Sequence, residues 1–289
     1  MDGSKKKNLQ LLIHMTSDNK ITLIIPDLHH RHEMAERIIK HVGADEVIFL
    51  GDLFDNFNDT PAMVESSARW LKWSVNQPNR IHIFGNHDYQ YAYDYKKLRC
   101  SGYEGWKYNI IRDIVSTNTW NKIKWWYFLD NTWLLTHAGL TSYNLPFTSH
   151  GTREEFYKNI NTYLEEELIK AFRKIANGEL TWIFGAGHAR YGSFPYGGIT
   201  WCDFIHEFQP IGGLHQIFGH TPLSQEAVWA TIDNSSGYPQ RYPSSMFTST
   251  DFNNIDNSYN LCLDVHGNIS WATWNNKTKD ITINNYAEL

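Results

Sequence analysis

Cysteine is scarce in this chain. Only Cys100, Cys202 and Cys262 occur in 289 residues, an odd number without paired spacing. That argues against a disulfide framework and against a zinc site built on thiolates, and it fits a reducing, cytoplasmic setting. Long apolar runs are missing as well: no stretch of about 18 or more apolar residues appears, so no membrane span is expected. Nor is there an excess of charge of one sign. A net charge of -5 at pH 7 gives no general attraction for nucleic acid or anionic membrane, although a local basic patch stays open. Internal repeats are absent. Near the start, Leu9 to Ile13 follows Lys5-Lys6-Lys7, a piece too short and too polar-flanked for a secretory signal. Residues 1–20 are expected to be a solvated tail, and residues 21–289 one domain with insertions at about 89–124 and 141–213.

Aromatic residues are plentiful: 12 Trp, 16 Tyr and 15 Phe. Most are expected in a large core, with a stacking surface for bases or sugars as the alternative. Apolar content of 42% and charged content of 20% suit a globular protein.

Three segments share one pattern, an apolar strand that stops at oxygen and imidazole groups. Ile21 to Ile25 runs into Pro26-Asp27-Leu28-His29, Val47 to Leu50 into Gly51-Asp52-Leu53-Phe54-Asp55, and Arg80 to Phe84 into Gly85-Asn86-His87-Asp88. Helical spacing at Met34, Ile38, Ile39 and Val42, and a helix from about Pro61 to Gln77, separate them. This β-α-β-α-β order predicts parallel strands with right-handed crossovers. Open α/β sheets place ligands at strand ends.

The rhythm breaks at Tyr89 to Lys124, which is rich in tyrosine and reads as an insertion near the site. A hairpin around Asp130-Asn131 follows, and its second strand ends at His137-Ala138-Gly139-Leu140. The clearest helix spans Thr152 to Asn177, capped by Thr152. Leu214 to Phe218 is a fifth strand, ending at Gly219-His220-Thr221-Pro222. Pro239 to Asn257 reads as a long surface loop. Leu261 to Asp264, Ile269 to Trp274 and Ile281 to Ile283 read as a short antiparallel finish.

Asp27, His29, Asp52, Asn86, His137 and His220 therefore form a candidate metal-ligand set. Carboxylate oxygens and neutral imidazoles suit manganese, iron, zinc or cobalt; manganese is the expected ion, with iron, zinc, cobalt or nickel as alternatives. Two cations about 3.5–4 Å apart need a shared ligand. The natural division puts Asp27 and His29 on one ion, Asn86, His137 and His220 on the other, and Asp52 between. Such a pair acidifies water and holds a phosphate. His87, beside Asn86 at the rim, suits the proton donor for a leaving group. Asp55 could orient it, with Asp88 as a second candidate. His30 and His32 are expected to cap or pair on the surface. His82, His150, His206, His215 and His266 carry no signal beyond surface or core. His188 and Asp264 are weaker candidates for lining the pocket.

These motifs resemble the calcineurin-like metallophosphoesterases: Asp-x-His, Gly-Asp-x-x-Asp, Gly-Asn-His-Asp, a lone His after a strand, and a late Gly-His, in order over Asp27 to His220. The resemblance implies an α/β sandwich of two mixed β-sheets flanked by helices, a di-metal centre and phosphoester hydrolysis. His137-Ala138-Gly139-Leu140 and Gly219-His220-Thr221-Pro222 look like the phosphoprotein phosphatase branch, which also holds the diadenosine tetraphosphatases. Two substrate arginines of that branch are replaced, by Asn56 and by Phe84. Arg190 falls roughly where another substrate arginine lies and, with Asn86, is a candidate phosphate contact.

Three readings follow. One is a phosphomonoesterase for a small phosphorylated compound or phosphopeptide, attacking with the hydroxide that the metals generate. Another is a phosphodiesterase or dinucleotide polyphosphate hydrolase stacking a base on the aromatics near Tyr89 to Trp106. The last, a non-catalytic scaffold, is disfavoured by the complete ligand set. The sequence leaves the oligomeric state open.

Overall fold

The computed structural model describes residues 19–149, 151–232, 239–246 and 258–286. Residues 1–18 of the expected tail, His150 and residues 247–257 of the expected loop lie outside the described residues.

β1 (Ile21–Ile25), β2 (Glu46–Phe49) and β3 (Arg80–His82) lie parallel, with Leu23 opposite Val47 and Ile48 opposite Ile81. Two helices cross between them, α1 (His32–Val42) and α2 (Pro61–Ser74). α2 begins on Thr60, whose hydroxyl accepts from the Met63 N–H, with Pro61 in the first turn where its missing N–H costs nothing. Alternation along the strands divides the side chains between two faces. Leu23, Ile25, Val47 and Phe49 pack with Ala35 and Ile38 of α1 and with Val64 and Ala68 of α2. Ile24, Ile48 and Leu50 instead meet Trp133, Leu135, Ile217 and Trp229 from a second sheet.

That second sheet runs in the order β4-β5-β6-β9-β7-β8. Its strands are β4 (Tyr127–Leu129), β5 (Trp133–Leu135), β6 (His215–Phe218), β7 (Val228–Ile232), β8 (Pro239–Pro243) and β9 (Tyr259–Cys262). The β4–β5 turn places Asp130 and Asn131 at φ of +51° and +48°, a region that Asp and Asn tolerate better than other side chains. β10 (Ser270–Asn275) and β11 (Ile281–Asn285) extend the first sheet beyond β1. Both sheets are mixed, and helices cover them. α3 (Asn86–Ala92), α4 (Gly105–Ile114) and α5 (Thr117–Trp120) follow β3, and α6 (Arg153–Ile175) lies beyond β5. On α6, Thr152 and Glu155 form a reciprocal capping box, and Phe156, Ile160, Leu164, Ala171 and Ile175 are buried.

Three expectations need correction, and one strand was not foreseen. β9 does not join β10 and β11. It lies between β6 and β7, parallel to β6, because Leu261 and Leu263 face the core between the sheets while Cys262 is buried on the other face. Pro239 to Asn257 is not loop throughout: Pro239–Pro243 is β8, which among the described residues is an edge strand paired with β7 alone, where two prolines are tolerated. β7 itself had no counterpart in the sequence reading. Finally, His30 and His32 are not surface groups. His30 Nε2 lies 3.3 Å from Asp59 Oδ1, with both side chains buried, and His32 packs on Trp70.

Candidate metal centre

Five strand ends converge where the two sheets meet. β1 delivers Asp27, β2 Asp52, β3 Asn86, β5 His137 and β6 His220. His137 ties the sheets together: its Nδ1 bonds the Leu50 carbonyl at 2.9 Å, and the Gly219 N–H donates to the His137 carbonyl.

Three ligands, Asp52, Asn86 and His220, follow a glycine, and the glycine has a steric reason. A Cβ on Gly219 would stand 2.1 Å from Asp27 Oδ1, and one on Gly51 would stand 2.4 Å from the Gly85 nitrogen. Both are distances that real carbon atoms do not adopt. Three of the ligands, and Asp55 beside them, carry backbone strain. His29, Asp52, Asp55 and His220 have φ of +43°, +50°, +65° and +68°. A non-glycine residue held there costs on the order of 1–3 kcal/mol and persists only where its surroundings enforce it.

Lone pairs face one another at this point. The Nδ1 proton of His137 is directed at Leu50 O, so once its second proton is lost to a cation its Nε2 offers a lone pair. That nitrogen lies 3.0 Å from Asn86 Oδ1, 3.1 Å from His220 Nδ1 and 3.3 Å from Asp52 Oδ2. Donor atoms around a cation at about 2.1 Å stand about 3.0–3.4 Å apart, so the spacing fits a metal. The Asn86 amide nitrogen turns away, toward Cys100 Sγ at 3.8 Å. His220 Nε2 is buried without a hydrogen-bond partner, and the residue is held by its backbone N–H on Asp27 Oδ1 (3.0 Å) and by Trp201 edge-on to its ring. His29 Nδ1 bonds the Asp55 carbonyl at 2.5 Å and leaves Nε2 4.0 Å from Asp52 Oδ2.

Among the described residues, two donor sets form, Asp52 with His137 and His220, and Asp27 with His29 and Asp52. Asp52 belongs to both. Carboxylate and imidazole donors at these separations fit divalent cations.

The charges need such a partner. Burial and the Asp52 carboxylate push Asp27 up to about 6 despite the opposing pull of His137. Burial opposes a charge on His137, but Asp52 and Asp27 outweigh it and raise the ring to about 9. Burial and the neighbouring His137 and Arg190 drive His220 well below the ordinary value. Asp52 is held far below the usual carboxylate range, because His137, His87 and His29 overcome its burial.

His87 sits beside this cluster. Its backbone N–H donates to Asp52 Oδ1 at 2.9 Å, and its ring Nδ1 lies 2.9 Å from Asp55 Oδ2. Asp88 does not reach the ring; its carboxylate accepts from the N–H groups of Leu53 and Gly85. Burial works against a charged His87, yet Asp52, Cys100 and Asp55 raise it well above its ordinary value.

Arg190 lies on a single turn, His188–Arg190, with Nε 2.9 Å from Asp203 Oδ2. Its charge reaches His220 but its guanidinium is tied to Asp203. Asp264 is buried, and burial and Asp27 push it up to about 8; among the described residues no hydrogen bond joins its side chain to a ligand. Phe84 explains one missing arginine: it is buried against Trp125 and Trp120. Phe57, past the other, is 98% exposed. Tyr89 and Tyr91 are core residues. Sequence reading missed Arg31, whose guanidinium binds the carbonyls of Asp27, Leu28 and Asn268, and Lys107, which reaches Asp55. Their charge alone gave no signal, since their partners are distant in sequence or backbone atoms.

Known proteins bear on this arrangement. No curated protein matches the chain by sequence. Among solved structures, a putative diadenosine tetraphosphatase aligns at 14% identity over 92% of this chain and 93% of its own, with a TM-score of 0.44. A protein serine/threonine phosphatase from Saccharomyces cerevisiae with similarity to human phosphatase PP5 aligns at 11% over 93% and 80%, also at 0.44. These scores carry no weight alone. The family model for calcineurin-like phosphoesterase matches residues 22–224, a span that takes in all five strand-end motifs. The chain belongs to the calcineurin-like phosphoesterase family and is a metal-dependent phosphoric ester hydrolase.

Proposed function

We propose that this hydrolase is a two-metal phosphatase acting on a phosphate monoester, a small phosphorylated compound or a phosphopeptide. The observation that carries the reading is that Asp52 belongs to both donor sets while the His87 ring stands next to it on Asp55. Asp27, His29 and Asp52 would hold one cation, and Asp52, Asn86, His137 and His220 the other; these carboxylate, carbonyl and imidazole donors admit manganese, iron or zinc, and manganese is the one proposed. Bound there, the cations supply Lewis acidity to a phosphoryl oxygen and lower the pKa of water. The chain's own residues do the rest. His87 carries a proton on the side away from the Asp55 carboxylate and gives it to the departing oxygen, a role worth on the order of 10²–10⁴-fold. Asn86 and Arg190 hold phosphate oxygens, Arg190 turning from Asp203 and the Asn86 amide nitrogen turning from Cys100 Sγ to do so. A single folded unit over residues 21–289 and a cytoplasmic location complete the reading.

A second reading, a phosphodiesterase or dinucleotide polyphosphate hydrolase, is favoured by Phe57: its ring is open to solvent two residues past Asp55 and offers a face to a base. Turnover of p-nitrophenyl phosphate, bis-p-nitrophenyl phosphate and diadenosine tetraphosphate by manganese-loaded protein separates the two. Preference for either of the last two would overturn the monoester reading. No metal-dependent turnover of any of them by metal-loaded protein would overturn both.

A further inference from the structure

The segment that breaks the β-α-β rhythm delivers a charge to the site. α4 packs against α2, and Lys107 from its first turn is 2% exposed. An ammonium has three protons and almost never lies buried without partners. Here all three are taken: Nζ lies 2.5 Å from Asp59 Oδ2, 2.8 Å from the Gly102 carbonyl and 3.1 Å from Asp55 Oδ1. Asp55 is filled in turn. Its Oδ2 accepts from Gln90 Nε2 at 2.6 Å and faces His87 Nδ1; its Oδ1 accepts from the Tyr91 hydroxyl at 2.6 Å and from Lys107. A carboxylate offers about four lone-pair sites, and every one is in use. The loop before α4 is shaped for this approach, since Gly102, at φ +91°, would bring a Cβ within 2.9 Å of the Asp55 side chain.

We propose that Lys107 is a positioning residue for the hydrolysis: it clamps the Asp55 carboxylate so that one oxygen stays aimed at His87. This rests on the reading of His87 as the proton donor. A carboxylate is free to turn about its Cβ–Cγ bond. The Lys107 and Tyr91 bonds on the far oxygen stop that rotation, and the near oxygen keeps the imidazole in one orientation. Lys107 also bonds Asp59, so it fastens the 55–59 loop to α4 at two points. The aromatic segment thereby acts on the reaction from behind the site, without touching substrate.

The test uses the full chain loaded with manganese and two substrates. An alkyl phosphate needs its leaving oxygen protonated; 2,4-dinitrophenyl phosphate does not. Lys107→Met is expected to lower kcat on the alkyl phosphate by about tenfold or more, the scale seen when a group that orients a reactive side chain is lost. Turnover of the dinitrophenyl ester, the metal content and KM should stay nearly unchanged. Combined with Asp55→Asn, it should cost no more than Asp55→Asn alone, because both act through one oxygen. Equal losses on both substrates, or losses that multiply in the double variant, would overturn the proposal. Lys107→Gln is read the same way if the methionine variant does not fold. His87→Ala is run alongside. If it too lacks the leaving-group dependence, the reading of His87 fails; if it shows the dependence and the Lys107 variants do not, only the role of Lys107 fails.

Discussion

His87 Nδ1 stands 2.9 Å from Asp55 Oδ2, and Asp55 is the one carboxylate within hydrogen-bond reach of that ring among the described residues. The pair lies alongside the donor cluster and is not part of it. Replacing His87 by alanine should therefore leave the cations bound and lower kcat by about 10²–10⁴-fold. Asp52→Asn should remove activity and weaken both cations together. Metal content by atomic emission beside steady-state rates checks this, and loss of metal from the His87 variant would show that the role is wrongly assigned.

Gly219→Ala tests the steric reading. The added methyl would stand 2.1 Å from Asp27 Oδ1, so the aspartate must leave the position from which it accepts the His220 N–H. Metal affinity should fall by at least about tenfold while the far-ultraviolet circular dichroism stays native. Wild-type affinity would show that the site has more slack than the contact implies.

Metal binding should release protons in a stepwise way. In the metal-free protein Asp27 titrates at about 6 and His137 at about 9. Both must lose their protons to bind a cation. After subtracting the proton that metal-bound water gives up, read from the pH–rate profile, release should fall as pH rises through about 6 and then through about 9. Calorimetry in buffers of different ionisation enthalpy measures this number directly. A flat value across that range would contradict the charge arrangement.

His82 sets an acid limit on stability. Burial, aided by the nearby Arg80, lowers it to about 3; it bonds Ser74 Oγ at 2.9 Å and stacks on Phe49. The unfolded histidine, near 6.5, takes its proton first. Its contribution is thus complete above about pH 6.5 and is lost as pH falls toward 3, at about 1.4 kcal/mol per pH unit. Urea unfolding of the wild type and of His82→Phe between pH 7 and 4 should show a smaller pH slope for the variant. Equal slopes would mean that His82 can be protonated in the folded chain.

Much of the site was legible because its ligands follow strand ends. Ile21 to Ile25 and Val47 to Leu50 are runs that both faces of a covered sheet demand, and a proline or glycine followed by an aspartate stops such a run visibly. Lys107 left no trace of that kind, since its partners Asp55 and Asp59 are about fifty residues away and one lysine on an amphipathic helix looks like any other. β8 was hidden by Pro239 and Pro243, residues that argue against a strand unless it is known to lie at an edge. β9 was read as a strand, but its place between β6 and β7 depends on which sheet closes over it, and alternation within Tyr259–Cys262 does not encode that.

The tether from His137 to the Leu50 carbonyl spans the seam between the two sheets. The coordination sphere is accordingly a gauge of how the halves of the sandwich are seated. A core substitution far from any ligand, such as one at Trp133 or Ile48, that spreads the sheets would loosen the grip on cations before it unfolds the chain. Loop lengths around the rim can change without that penalty, which leaves substrate preference free to drift while the hydrolytic machinery stays fixed.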